Sequence, residues 1–180
     1  MGGRGRTAVF MDRDGVINRL LPGDYVKRWD EFEFLPEVAA AIRLIRESGF
    51  LAVVITNQQG VGKGLMGMDD LDAIHRRMVG ELRRHGADLD GIYACPHLAA
   101  EECDCRKPKD GLIRRAVAEL GIDAGASYMV GDSSSDLEAG RRAGCRPVLI
   151  GSVSTDGCGL GTFLDLMAFA RFLAGRAEGR

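Results

Sequence analysis

Short apolar runs alternate along the chain with segments in which apolar residues recur at the spacing of a helix. The pattern predicts five strands, at residues 7–11, 50–56, 91–94, 127–130 and 147–150. It predicts helices near residues 36–49, 69–84, 111–120, 135–143 and 163–173, with a Gly- and Ser-rich loop at 151–161. Strands that alternate with helices are typical of a parallel sheet covered by helices on both faces. We therefore predict an α/β, Rossmann-like three-layer fold with a parallel sheet of about five strands.

Carboxylates follow two of the predicted strands. Asp12 and Asp14 come directly after the first strand, and Asp132 and Asp136 come after the fourth. For either pair alone, a helix cap or a turn is the simpler explanation. If the sheet brings the two strand ends together, however, four carboxylates converge and repel one another. A hard divalent cation that prefers oxygen ligands, such as Mg²⁺, would relieve that repulsion.

Composition and charge narrow the choice of partner. The 180 residues carry 24 Lys plus Arg and 26 Asp plus Glu, a net charge of -2, without a long block of one sign. This balance argues against binding nucleic acid or an acidic membrane through bulk charge. The mid-chain apolar run at residues 50–55 is far shorter than the roughly 20 residues of a membrane span, and the first residues do not resemble a signal peptide. We expect one domain over residues 1–180, in the cytoplasm and as a monomer.

Three of the five cysteines lie close together with a histidine among them. Cys95, His97, Cys103 and Cys105 provide three thiolates and one imidazole, a complete tetrahedral set for Zn²⁺ with no position left for water. A closed site of this kind is structural, and the alternative is a group of unrelated loop cysteines. Cys145 and Cys158 have no such neighbours. We expect them to be a buried small residue and a loop thiol.

Four ordered motifs resemble those of the haloacid dehalogenase superfamily of phosphohydrolases. They are Asp12-x-Asp14-Gly15-Val16, the run from Val53 to Gln58, Arg106-Lys107-Pro108, and Gly131-Asp132-x-x-x-Asp136. The resemblance covers residues 7 to about 150. It implies phosphate ester hydrolysis through a phosphorylated aspartate, whereas a module that only recognises phosphate would not need both Asp12 and Asp14.

The resemblance also implies a role for each motif residue. Asp12 is the implied nucleophile, and Asp14 is the acid that protonates the leaving oxygen and the base that then activates water. Thr56 is expected to hydrogen-bond the phosphoryl oxygens, while Lys107 offsets their charge. The implied Mg²⁺ ligands are Asp12, Asp132 and the main-chain carbonyl of Asp14, with Asp136 supporting the site.

The cysteine loop runs directly into Arg106-Lys107-Pro108, so Zn²⁺ would position the catalytic lysine. This combination narrows the resemblance to the branch that holds heptose bisphosphate phosphatases and histidinol-phosphate phosphatases. The intervals between motifs leave no room for a separate cap domain, so loops must select the substrate. We expect a small phosphorylated metabolite, a sugar bisphosphate in the first instance, with histidinol phosphate as the alternative.

Polar and basic residues near the motifs are expected to contact this substrate. We predict Asn57, Gln58, Arg106 and Lys63 as substrate-binding residues, and we expect Arg13 to be a further source of charge for a second phosphate. His75 and His85, which are surrounded by arginines, are expected at the surface.

Overall fold

A computed structural model describes residues 5–151 and 161–178, which form one parallel sheet with helices on both faces. The strands stand in the order β3-β2-β1-β4-β5-β6. They are β1 (Ala8–Met11), β2 (Leu51–Asn57), β3 (Gly91–Cys95), β4 (Tyr128–Gly131), β5 (Arg146–Ile150) and β6 (Thr162–Phe163). The helices are α1 (Val38–Glu47), α2 (Gln59–Gly62), α3 (Met68–Arg84), α4 (Gly111–Leu120), α5 (Ser134–Arg142) and α6 (Leu166–Glu178).

The sheet is buried on both faces because alternate strand residues enter two separate apolar cores. Val9 and Met11 of β1 pack in the core that contains the apolar faces of α1, α3 and α6. Ala8 and Phe10 pack in the opposite core, together with residues of α4 and α5. A continuous apolar run, rather than an alternating one, is what a strand covered on both faces requires. The α/β prediction is therefore confirmed.

The prediction of about five strands is confirmed, with one short strand added at the edge of the sheet among the described residues. The structure has six strands, because Thr162–Phe163 pairs with β5 where the sequence predicted a loop end and the start of a helix. Two residues are too few to show any period. As a result α6 begins at Leu166, three residues later than predicted. Most of the predicted loop at 151–161 lies outside the described residues, and with it Cys158.

The register of the three central strands places their carboxyl ends side by side. Met11 at the end of β1 is paired with Val54 on one side and with Val130 on the other. The Asp12 amide continues this pairing by donating a hydrogen bond to the Val130 carbonyl at 2.9 Å. Within the described residues, the connections around this edge contain helices and loops but no separate cap domain, as predicted.

Candidate active site

Three carboxylates meet beyond the ends of β1 and β4. Asp12, Asp132 and Asp136 each offer an oxygen, and these oxygens lie within 4.8 Å of one another. Gly15 makes this approach possible: a Cβ built there would lie 1.9 Å from the Asp132 carboxylate, and its φ of +88° is one that glycine adopts readily. The topology thus brings together three of the four carboxylates that were predicted to converge, while Asp14 lies outside this group.

Lys107 enters this acidic group from the loop that follows β3. Its ammonium lies 2.9 Å from Asp12 Oδ1 and 2.6 Å from Asp136 Oδ1, and it donates to the Ile55 carbonyl at 2.9 Å. Burial opposes the charged form, but the two carboxylates raise the pKa of Lys107 above its ordinary value. The lysine is therefore a fixed positive charge within the acidic group.

One buried lysine does not neutralise three carboxylates. Burial raises the pKa of Asp12 to about 7, with Lys107 opposing the shift and Asp136 adding to it. Burial and Asp136 likewise raise the pKa of Asp132 to about 6. Crowded carboxylate oxygens with excess negative charge form the donor set that a hard divalent cation prefers. The residues present fit Mg²⁺.

Asp136 differs from the other two carboxylates because it also caps a helix. Its Oδ2 accepts hydrogen bonds from the Ser133 amide at 3.1 Å and from the Ser133 hydroxyl at 2.6 Å, while the side chain is fully buried. This capping box fixes the start of α5. With Oδ1 directed at Lys107, Asp136 holds the lysine in place.

Asp14 is held by three side chains and stays one-fifth exposed. It accepts from Asn18 Nδ2 at 2.9 Å, from Gln58 Nε2 at 2.8 Å and from the Arg13 guanidinium at 3.1 Å. Burial alone would raise the pKa of Asp14, but the Arg13 charge and these hydrogen bonds hold it below its ordinary value. The carboxylate is therefore ionised and fixed in direction.

The segment Thr56-Asn57-Gln58 supports its neighbours more than it opens to the cleft. Asn57 donates to the Lys107 carbonyl and accepts from the Lys107 amide, both at 3.1 Å, so its amide group clamps the lysine backbone. Gln58 is 1% exposed and bridges Thr56 Oγ1 and Asp14, each at 2.8 Å. In this structure both predicted substrate contacts are engaged with protein groups.

The three basic residues predicted to meet a second phosphate lie in different surroundings. Arg106 is half-buried and donates to Gln59 Oε1 at 2.8 Å, so it stays near the cleft. Lys63 is exposed, with its ammonium 5.0 Å from the centre of the Tyr25 ring. The expectation for Arg13 is wrong, because this side chain is fully buried beneath the site.

His75 was also predicted incorrectly. It is buried rather than on the surface, and its Nε2 lies 3.2 Å from Arg13 Nη1. Its position on α3 carries a signal that the prediction did not use: Leu71, Ile74 and Met78 form the buried face of that helix, and His75 lies beside them. His85, at the end of the same helix, is exposed as expected.

The cysteine loop forms a compact cluster beside this edge of the sheet. Cys105 Sγ lies 3.1 Å from Cys95 Sγ, 3.3 Å from Cys103 Sγ and 3.1 Å from His97 Nδ1. Sulfur atoms around a tetrahedral Zn²⁺ are about 3.8 Å apart, given Zn–S distances of about 2.3 Å. The four ligand atoms, all within 4.8 Å of one another, therefore fit a zinc ion after a small expansion. Cys145 lies apart and buried, as predicted.

Among the described residues, no helix is both long and apolar enough to cross a membrane.

Comparison with known proteins gives a consistent result. A HAD-hydrolase-like family model matches residues 104–161. The D-glycero-alpha-D-manno-heptose-1,7-bisphosphate 7-phosphatase of Mycobacterium tuberculosis is 42% identical, over 95% of this chain and 93% of that protein. The D-glycero-beta-D-manno-heptose-1,7-bisphosphate 7-phosphatase of Pasteurella multocida is 39% identical over 77% of each chain.

A solved structure agrees with these relatives. The D,D-heptose 1,7-bisphosphate phosphatase from B. bronchiseptica, complexed with magnesium and phosphate, superposes with a TM-score of 0.86 and 33% identity. The match covers 94% of this chain and 99% of that one. With the motifs at the strand ends and this likeness over nearly the whole length, the predicted resemblance is confirmed: the chain belongs to the haloacid dehalogenase-like family of D-glycero-D-manno-heptose-1,7-bisphosphate 7-phosphatases.

Proposed function

We propose that this chain removes the 7-phosphate of D-glycero-D-manno-heptose 1,7-bisphosphate, with Asp12 as the nucleophile and Mg²⁺ as cofactor. The observation that carries the proposal is the position of Asp12: it is level with the end of the sheet, within 2.9 Å of the buried Lys107 ammonium and beside Asp132. A nucleophile, a fixed cation and a cation-binding carboxylate in one place are the groups that an inert phosphate ester requires.

The chemistry takes two steps at phosphorus. The Asp12 carboxylate attacks phosphorus, the bond from phosphorus to the sugar oxygen breaks, and Asp14 gives a proton to that oxygen. Water then attacks the phosphorus of phospho-Asp12 while Asp14 takes a proton back, which releases inorganic phosphate and restores the Asp12 carboxylate. Asp14 is ionised before the substrate arrives, and the negative charge of the phosphate promotes the proton uptake that its first task requires.

The remaining groups balance the charge on the transferring phosphoryl group. The Thr56 hydroxyl, at the end of β2, would donate to a phosphoryl oxygen, and Lys107 would offset the charge that builds up there. Asp12, Asp132 and the main-chain carbonyl of Asp14 would hold Mg²⁺. When bound, Mg²⁺ supplies positive charge that stabilises the ionised nucleophile and the phosphoryl oxygens.

The Zn²⁺ we propose at Cys95, His97, Cys103 and Cys105 has a positioning role. These four residues leave no ligand position for substrate or water. The segment immediately after Cys105 carries Arg106 and Lys107, and the Arg106 guanidinium also reaches the His97 carbonyl at 3.4 Å. Fixing this loop therefore fixes the arginine at the cleft and the lysine beneath it.

The proposed substrate matches the open site. Without a cap, a primary phosphate on the flexible end of a sugar can reach Asp12 while the second phosphate meets Arg106 and Lys63. We also propose that residues 1–180 work as one domain and one monomer, on a small metabolite in the cytoplasm. The near-balanced charge of -2 supports a small ligand over a nucleic acid.

A substrate panel tests this proposal. Phosphate release is measured with and without Mg²⁺ from both anomers of the heptose bisphosphate, from histidinol phosphate and from p-nitrophenyl phosphate. We expect Mg²⁺-dependent loss of the 7-phosphate only, with kcat/KM above that for histidinol phosphate by about 10²-fold or more, because the second phosphate contributes binding energy in the transition state. Better turnover of histidinol phosphate, or loss of the 1-phosphate, contradicts the proposal.

A further inference from the structure

Arg13 stands between the nucleophile and the acid/base residue in sequence, yet its side chain points away from the cleft. It is the largest fully buried side chain among the described residues, and its guanidinium lies 5.9 Å from the centre of the Phe32 ring. Its Nε has no hydrogen-bond partner. Burying a guanidinium with one donor unpaired costs free energy that an apolar side chain would not. This cost indicates that the buried charge of Arg13 has a functional role.

The contacts of the Arg13 guanidinium indicate this role. One end of the guanidinium, Nη2, lies 3.1 Å from both oxygens of Asp14. The other end, Nη1, lies 3.2 Å from His75 Nε2. Since arginine has no acceptor, the His75 nitrogen must accept this hydrogen bond, so His75 is neutral and carries its proton on Nδ1. The imidazole lies on α3, within the apolar core, and gives the guanidinium a rigid support.

The main chain of the same loop is equally constrained. The Arg13 carbonyl accepts from the Ile17 amide at 2.8 Å and from the Asn18 amide at 3.0 Å. Asn18, itself fully buried, turns its side-chain amide to Asp14 at 2.9 Å. Asp14 therefore sits in a tight loop whose backbone and side chains are both fixed, and Arg13 is its only charged partner among the described residues.

From these contacts we infer that Arg13 and His75 are positioning residues, which aim the Asp14 carboxylate at the leaving oxygen by a chain of contacts from α3 to the cleft. The inference rests on the proposed function, since it needs Asp14 to be the proton donor. In this inference the two neighbouring residues have different roles. Asp12 makes the bond to phosphorus, while Arg13 acts only through Asp14. A shift of about 1 Å in a proton donor is enough to slow catalysis strongly.

Comparing two leaving groups tests this inference. An alkyl phosphate must be protonated as it leaves, but p-nitrophenolate leaves as a stable anion and needs little help from Asp14. The measured quantity is kcat/KM, which reports the steps up to departure of the leaving group. We expect His75→Leu, which leaves Nη1 unpaired, to lower kcat/KM for an alkyl phosphate by about 10-fold to 10²-fold and for p-nitrophenyl phosphate by less than about 3-fold.

Two further variants show whether the effect passes through Asp14. His75→Gln offers a side-chain oxygen that can accept from Nη1, so it should restore most of the alkyl phosphate activity. In the Asp14→Asn background, Arg13→Met should cost little more than Asp14→Asn alone, because a residue that acts only through Asp14 has nothing left to position. His85→Leu, at the exposed end of the same helix, is the matched control and should change neither substrate.

The outcomes separate this inference from the proposed function. Wild-type protein that hydrolyses neither ester in the presence of Mg²⁺ refutes the phosphatase proposal and, with it, the role of Arg13. An active wild type in which His75→Leu lowers both substrates equally shows that His75 supports the fold alone. Costs of Arg13→Met and Asp14→Asn that simply add would also overturn the inference.

Discussion

The acidic site and the cysteine cluster lie at the same edge of the sheet but are built in opposite ways. The acidic site takes carboxylates from the ends of two strands and from helix α5 and its lysine from a loop, and this lysine is 2% exposed between Asp12 and Asp136. The cysteine cluster takes all its ligands from one loop and the end of one strand, and three of the four residues are only half-buried. The first therefore depends on the whole fold, while the second, in our proposal, depends on a bound metal.

The difference indicates separate roles for the acidic site and the cysteine cluster. In our proposal, the carboxylates and the lysine that are buried together supply charge for the reaction, and they are held by Asn57, Ser133 and the ends of buried strands. Cys103 and Cys105 are only partly buried and pack against the apolar core on one face of the sheet, and a closed metal site would hold their loop more firmly. Arg106 and Lys107 join the two regions. Changes in one region are therefore expected to reach the other through this segment.

The largest expected effect is the loss of activity in Asp12→Asn. The amide is nearly the same shape as the carboxylate but is neither a competent nucleophile nor an anionic metal ligand. We expect kcat for phosphate release to fall by more than about 10³-fold. Asp72→Asn, a change of the same kind at an exposed position on α3, serves as the control and should keep normal turnover. Near-normal turnover of Asp12→Asn would falsify the nucleophile assignment.

The double variant Cys103→Ser plus Cys105→Ser changes the cysteine cluster and is expected to have the next largest effect on turnover. Wild-type protein is expected to carry one equivalent of zinc per chain by elemental analysis, and the double variant none. Because the loop before Lys107 is then unfixed, kcat should fall by about 10-fold to 10²-fold while Mg²⁺ dependence remains. Cys145→Ser, outside the cluster, should retain its zinc. Zinc that persists in the double variant, or is absent from wild type, contradicts the assignment.

A smaller effect is expected at the residue between the two regions. Arg106→Ala removes the half-buried guanidinium beside Gln59, and with it the proposed contact to the second phosphate. We expect kcat/KM for the heptose bisphosphate to fall by about 10-fold or more beyond any fall for p-nitrophenyl phosphate, which carries one phosphate only. Lys109→Ala provides a neighbouring loss of charge for comparison. Equal losses for both substrates would place Arg106 on the transferring phosphoryl group instead.

The smallest effect is on stability without Mg²⁺. The pKa of Asp12 is raised from 3.8 to about 7 by burial, so the folded state binds this proton more tightly than the unfolded state does. The unfolding free energy of wild type should therefore fall as pH rises from about 4 to about 7, whereas that of Asp12→Asn, which has no carboxyl group at this position, should not show this fall. Urea unfolding in Mg²⁺-free buffer at pH 5 and pH 7 measures this. If the unfolding free energies of wild type and Asp12→Asn change by the same amount between pH 5 and pH 7, burial does not raise the pKa of Asp12.

The same contrast explains what could be predicted from the sequence. The clustering of Cys95, His97, Cys103 and Cys105 could be predicted because they lie within one short segment, where spacing alone indicates a site. Predicting the acidic site required the further assumption that β1 and β4 end side by side in a parallel sheet. The register between these two strands confirms that assumption.

The support beneath Asp14 could not be predicted in this way. Arg13 and His75 are 62 positions apart in sequence, and neither is a residue type that is usually fully buried. Only the path of the loop after β1 shows that the arginine turns inward. Asn57 and Gln58 gave the same difficulty: a polar side chain at a strand end can face substrate or clamp a neighbour, and the residue type does not distinguish the two.

Trapping the phosphorylated residue tests the central claim most directly. Enzyme in steady-state turnover with Mg²⁺ and substrate is quenched in acid, reduced with borohydride and digested, and the peptide containing residues 7–19 is analysed by mass spectrometry. Borohydride converts an aspartyl phosphate to homoserine, so we expect this conversion at Asp12 and not at Asp14, and none in Asp12→Asn. Rapid phosphate release with Asp12 unmodified, or conversion at another aspartate, would contradict the account.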